Sequence, residues 1–74
     1  MSYLSFIVNA EATARMTKTT VWAVFNAGVP LGEIRWYAPW RRYALAPIAG
    51  TVWDMDCLKE VTEFLGEVNA RHRA

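Results

Sequence analysis

Three arginines and three aromatic residues crowd the stretch from residue 35 to 42, and five of these six, Arg35, Tyr37, Trp40, Arg41 and Arg42, are candidates for contact. Guanidinium groups grip phosphates and carboxylates through charge and paired hydrogen bonds. Aromatic rings offer faces on which bases can stack. Tryptophan, tyrosine and arginine are also the residues that dominate protein–protein hot spots. The set therefore reads as a contact surface for another protein or, alternatively, for nucleic acid, with Arg15 and Lys18 extending the charge in the second case. Glu33 in the same row and the small number of arginines favour the protein reading. The structural alternative folds Trp40 back to plug the end of a sheet.

Catalytic chemistry has few candidates. His72 is the sole histidine and stands two residues from the last residue of the chain, in a position prone to fray. Cys57 is the sole cysteine, so no internal disulfide can form, and one Cys with one His builds no zinc site. Cys57 falls in a first helical turn, where the dipole could lower its pKa, but no basic partner is near in sequence and burial is the expectation. Glu60, Glu63 and Glu67 follow helical spacing on the solvated side. No glycine-rich phosphate loop is present. No enzyme activity, cofactor or small-molecule substrate is expected.

The elements that must position the arginines and rings are strands. YLSFIVN alternates and predicts a strand over 3–9, followed by a loop or helical turn. TTVWAVFN (19–26) is β-branched and aromatic. Asn26 and Gly28 tolerate positive φ, and Pro30 should stop pairing before a strand over 31–37. A last strand covers 41–47. Pro39 suits the second position of a type I turn over Ala38 to Arg41, which pairs Tyr37 with Arg42, Trp36 with Tyr43 and Ile34 with Leu45. That register puts Ile34, Trp36, Tyr43 and Leu45 on one face, and Glu33, Arg35, Tyr37, Arg42, Ala44 and Ala46 on the other. The strand over 19–26 is apolar on both faces, as Trp22 with Val24 and Val21 with Phe25. It is either central in the sheet or a seam between subunits.

The C-terminal segment predicts a helix capped by Asp54, with Trp53 stapling onto Leu58. Cys57, Leu58, Val61, Phe64, Leu65 and Val68 fall within an arc of about 120°. Glu67 and Arg71 have ion-pair spacing, and Arg71, His72 and Arg73 oppose the negative end of the dipole. Gly66 lies off the apolar arc and marks either a close contact with another chain or an early end to the helix. The fold class is α+β, a three- to four-stranded antiparallel sheet with one C-terminal helix packed on one face.

Seventy-four residues at 54% hydrophobic and a net charge of +1 make one small domain, with a core over 18–72 and residues 1–17 as an N-terminal arm or edge strand. So small a core invites oligomerisation, and a homodimer is expected. The near-neutral charge argues against a nucleic-acid binder by bulk charge. YLSFIVNA lacks a preceding basic region and no run approaches the ~20 apolar residues of a membrane span, so a cytoplasmic, membrane-free location is expected.

Gly32, Ile34, Trp36, Trp40, Arg41 and Tyr43, followed by Cys57, Leu58, Phe64 and Leu65, form a pattern similar to a group of small bacteriophage- and prophage-encoded proteins. The similarity covers about residues 18 to 70. It implies a viral origin and a setting: such accessory proteins often bind and redirect or block one host protein. The combined expectation is a non-enzymatic protein that modulates or inhibits a host or defence-system protein, with a nucleic-acid-binding accessory protein or a structural virion component as alternatives.

Overall fold

The computed structural model of the chain describes residues 3–15 and 19–73. Strands β1 (Ser5–Val8), β2 (Trp22–Asn26), β3 (Val29–Tyr37) and β4 (Arg42–Pro47) form one antiparallel sheet in the order β1-β2-β3-β4. A short helix α1 (Ala10–Ala14) lies between β1 and β2 in the chain, and helix α2 (Met55–Arg73) follows the sheet. This is the expected α+β order, with β1 as an edge strand of the sheet and β2 in its interior.

The helix covers one face. Cys57, Val61 and Val68 of α2 are buried against Leu4, Val24, Leu31, Ile34 and Tyr43, with Phe6, Trp22, Trp36, Phe64 and Leu65 packed around them. Ile34 and Val24 are completely buried at 0% exposure, so the core centres on the middle of β2 and β3. Removing this apolar surface from water is the main force holding helix to sheet. Val21 is buried on its own account, its N–H bonded to Thr13 Oγ1 at 3.0 Å and its carbonyl accepting from Asn9 N at 2.8 Å.

The β3–β4 hairpin has the register read from the alternation: Tyr37 opposite Arg42, Trp36 opposite Tyr43, Ile34 opposite Leu45. The turn closes where Arg41 N donates to Ala38 O at 3.1 Å. Arg41 itself takes the left-handed conformation, φ 51°, which costs a non-glycine residue about 1 kcal/mol. Gly32 is required by β4: a Cβ there would stand 2.7 Å from the Ala46 carbonyl oxygen.

The β2–β3 hairpin departs from expectation. The positive φ angles belong to Ala27 (49°) and Gly28 (84°), not to Asn26, which ends β2 opposite Val29. Two consecutive positive φ values make the tight hairpin turn that matches strand twist. Pro30 does not stop pairing: β3 begins one residue before it, and Pro30 lies opposite Phe25. The register slips here, because Leu31 is an extra residue between the Val24–Gly32 and Phe25–Pro30 pairs. Such a bulge interrupts the ladder and so tolerates a residue without an N–H. It also delivers Leu31 to the core, at 9% exposure.

Helix α2 begins as expected, with Cys57 N donating to Asp54 Oδ1 at 2.8 Å. Leu58 is 47% exposed, at the edge of the apolar arc, while Trp53 packs on the core and donates its indole N–H to Thr51 Oγ1 at 2.9 Å. Glu60 is not a solvated acid. Its carboxylate accepts from Tyr3 N at 2.8 Å and Leu4 N at 3.2 Å, tying the approach to the edge strand β1 onto the helix. The ion pairs among the described residues are Glu11–Arg15 and Glu33–Arg35, at 3.9 and 3.7 Å; the Glu67–Arg71 pair does not close. Arg71 instead lines a cleft with Trp22, Tyr43, Val68 and His72. Nor does Gly66 end the helix, which continues to Arg73.

Candidate functional site

The two sides of the hairpin tip diverge. On the uncovered side, Arg35 pairs with Glu33. Tyr37 and Trp40 meet edge to face, ring centres 4.9 Å apart and planes at 80°. Trp40 is 64% exposed, so it does not plug the end of the sheet. The turn that carries it is built locally, from the fixed φ of Pro39 and the left-handed Arg41.

On the covered side, aromatic rings run in unbroken contact from one edge of the sheet to the other. Phe6 stacks on Phe64 at 4.2 Å, Phe64 meets Trp22 at 5.2 Å, Trp22 meets Tyr43 at 5.4 Å and Tyr43 meets Trp36 at 5.3 Å. His72 completes the row, 4.4 Å from Trp36 and 5.7 Å from Tyr43. The fraying expected of the chain end is therefore opposed at His72, which the last helical turn lays across two rings. The signal in the sequence was available: His72 continues the arc at Val61, Leu65 and Val68 by helical spacing.

Asn69 fixes how the helix meets the hairpin. Its Oδ1 accepts from Tyr43 N at 2.7 Å and its Nδ2 donates to Tyr43 O at 3.3 Å. One side-chain amide thus takes the place of a neighbouring strand on the outer edge of β4, where a backbone donor and acceptor would otherwise invite another chain.

Between tip and helix lies a cleft of about 240 Å³ lined by Trp36, Arg41, Arg42, Gly66, Asn69 and His72. Arg42, assigned by alternation to the uncovered face, contributes to this cleft, and its Nε donates to the Trp40 carbonyl at 3.3 Å. The five residues singled out in sequence are consequently divided. Arg35 is in an ion pair on the sheet face, Tyr37 and Trp40 form an exposed ring pair, and Arg41 and Arg42 face a cleft whose other walls come from α2. Lys18 lies outside the described residues, and Arg15 is paired with Glu11.

Cys57 has the surroundings of a structural thiol. Burial pushes its pKa up, and its hydrogen bond to Asp54 adds to this. The Asp54 carboxyl is held below its ordinary value, chiefly by the Cys57 backbone N–H. Among the described residues no group of three or more His, Cys, Asp or Glu side chains could hold a metal ion, and no helix is long and apolar enough to cross a membrane. Comparison with protein-family models, curated proteins and solved structures returns no match.

Proposed function

We propose that this is a non-enzymatic protein that works by binding another protein through the tip of its β3–β4 hairpin. The observation that carries the reading is the exposed Trp40, 64% accessible and propped on Tyr37, beside two arginines that have no carboxylate partner among the described residues. A large ring held rigidly in water at a loop tip contributes nothing to the core. Seated in a partner's pocket it has the makings of a hot spot. The resemblance to small phage-encoded proteins supports a host or defence-system protein as the target, met in the host cytoplasm and modulated or inhibited by occupancy.

The test is capture of the partner from host extract by the wild-type chain and by a Trp40→Ala/Arg42→Ala double variant. Loss of capture with unchanged circular dichroism and melting temperature supports the reading. A folded double variant that retains all capture overturns it.

The same arginines favour a second reading, nucleic-acid binding by the hairpin. It predicts a gel shift with DNA or RNA that weakens steeply as salt rises. A homodimer belongs to the proposal as well. The uncovered sheet face, where Ile7 is 55% exposed and Phe25 half-buried, offers a second copy an apolar surface. Sedimentation as a monomer at high micromolar concentration refutes that part alone.

A further inference from the structure

We infer that the cleft between the hairpin tip and α2 is a socket for an acidic side chain of the protein partner. The inference rests on the binding role proposed for the tip and specifies the chemistry recognised beside it.

Three observations converge. First, none of the residues lining the cleft is acidic, and two of them are arginines without a carboxylate partner among the described residues. Guanidinium forks match the geometry of a carboxylate and bind it through two parallel hydrogen bonds. Second, Asn69 is held in place by one donated and one accepted hydrogen bond to the Tyr43 backbone, and the Trp36 and His72 rings lie against each other at 4.4 Å. The walls opposite the arginines thus present the Trp36 ring, the bare backbone of Gly66 and the anchored Asn69, against which the methylene stem of a glutamate or aspartate can lie. Third, Gly66 sits in the middle of a 19-residue helix, where glycine is destabilising, yet its conformation does not require glycine and a Cβ would meet nothing within 4 Å. Fold stability gives no reason for a glycine there. The cleft does, since any longer side chain at that position would occupy it.

The dimensions choose between a carboxylate and a nucleic-acid strand. A groove that follows a phosphate backbone needs a basic track over several nucleotides. Here the cleft holds about 240 Å³, the third hairpin arginine is paired with Glu33 on the sheet face, and the chain carries a net charge of only +1. Such a socket accommodates one acidic side chain.

The experiment is an NMR titration of the ¹⁵N-labelled protein. It follows the Trp36 indole, the Gly66 amide and the Nε–H signals of Arg41 and Arg42. The probes are a blocked hexapeptide with a central glutamate, the same peptide with glutamine, and a short oligothymidylate. Saturable shifts of these signals with the glutamate peptide only, weakened about tenfold or more by Gly66→Leu, support the socket. Gly66→Leu adds an exposed side chain in open space, so its fold should persist, and Gly66→Ala controls for loss of the glycine itself. Equal shifts with the glutamine peptide, tighter binding of the oligonucleotide, no saturable shift, or indifference to Gly66→Leu each overturn it. The two proposals fail separately. Partner capture that survives Gly66→Leu but not Trp40→Ala sinks the socket and leaves the tip. Capture that survives both sinks the two together.

Discussion

Trp36 and Trp40 stand on either side of the same turn, four residues apart, and their surroundings differ completely. Trp36 lies within the row of rings under α2, touching Tyr43 and His72. Trp40 meets Tyr37 and is 64% exposed. Strand alternation sends Trp36 inward. The turn then lifts Trp40 clear of the sheet. The difference shows that aromatic density in this hairpin is two features: one side holds a very small core together, and the other stands exposed at the tip.

Substitutions at the two positions test this contrast. The largest effect is expected at Trp36. Trp36→Ala should destabilise by about 2 kcal/mol or more in urea denaturation, somewhat below the ~3–5 kcal/mol of a fully buried ring. Trp40→Ala should stay within about 0.5 kcal/mol of wild type in the same assay while removing partner capture. Equal destabilisation at both positions would dissolve the distinction.

Asn69→Ala should come next, at about 1–2 kcal/mol, because it strands a donor and an acceptor of Tyr43 on the β4 edge. Faster amide exchange at Tyr43 would localise that loss. Gly66→Ala should act in the opposite sense and stabilise by about 0.5–1 kcal/mol. A destabilised Gly66→Ala would mean that the glycine serves the fold rather than the cleft.

The smallest effects concern the start of α2. Asp54 has its pKa lowered in the folded state from its ordinary 3.8, chiefly by the Cys57 backbone N–H, so the native state holds that proton less tightly than the unfolded chain. Its contribution is present above that ordinary value and is lost as the pH falls through the lower, folded one. Asp54→Asn should therefore lower the melting temperature at neutral pH and flatten its fall in the acid range, so that variant and wild type converge once the carboxylate is protonated. The raised pKa of Cys57 predicts slow alkylation in the native state at pH 8, with rapid reaction once urea exposes the thiol.

Much of the β3–β4 hairpin was legible in the sequence. Its turn is set by Pro39, and one register alone separates apolar from polar residues, so local chemistry and alternation agree. The Asp54 cap and most of the helix arc were legible for the same reason. The slip at Leu31 was not, because a bulge moves residues between faces without any change in composition. Glu60 was misread as solvated, since its partners, the N–H groups of Tyr3 and Leu4, lie more than fifty positions away. Half of the cleft was hidden in the same way. Gly66 stands out only as a helix residue without a core role, and His72 continues the apolar arc by spacing without any sign of which residues it meets.

By itself, the sequence determined the elements, the hairpin pairing and which stripe of α2 is apolar, because those follow from dihedral preference and from periods of two and 3.6 residues. It also determined that arginines and rings gather at one turn. Which of them share a cleft depends on how the helix packs on the sheet. Helix packing carried Gly66, Asn69 and His72 to the side of Arg41 and Arg42, and left Arg35 with Glu33 on the far face. That division depends on where a helix lands on a sheet. It is settled by contacts between residues distant in the chain, which no local pattern encodes.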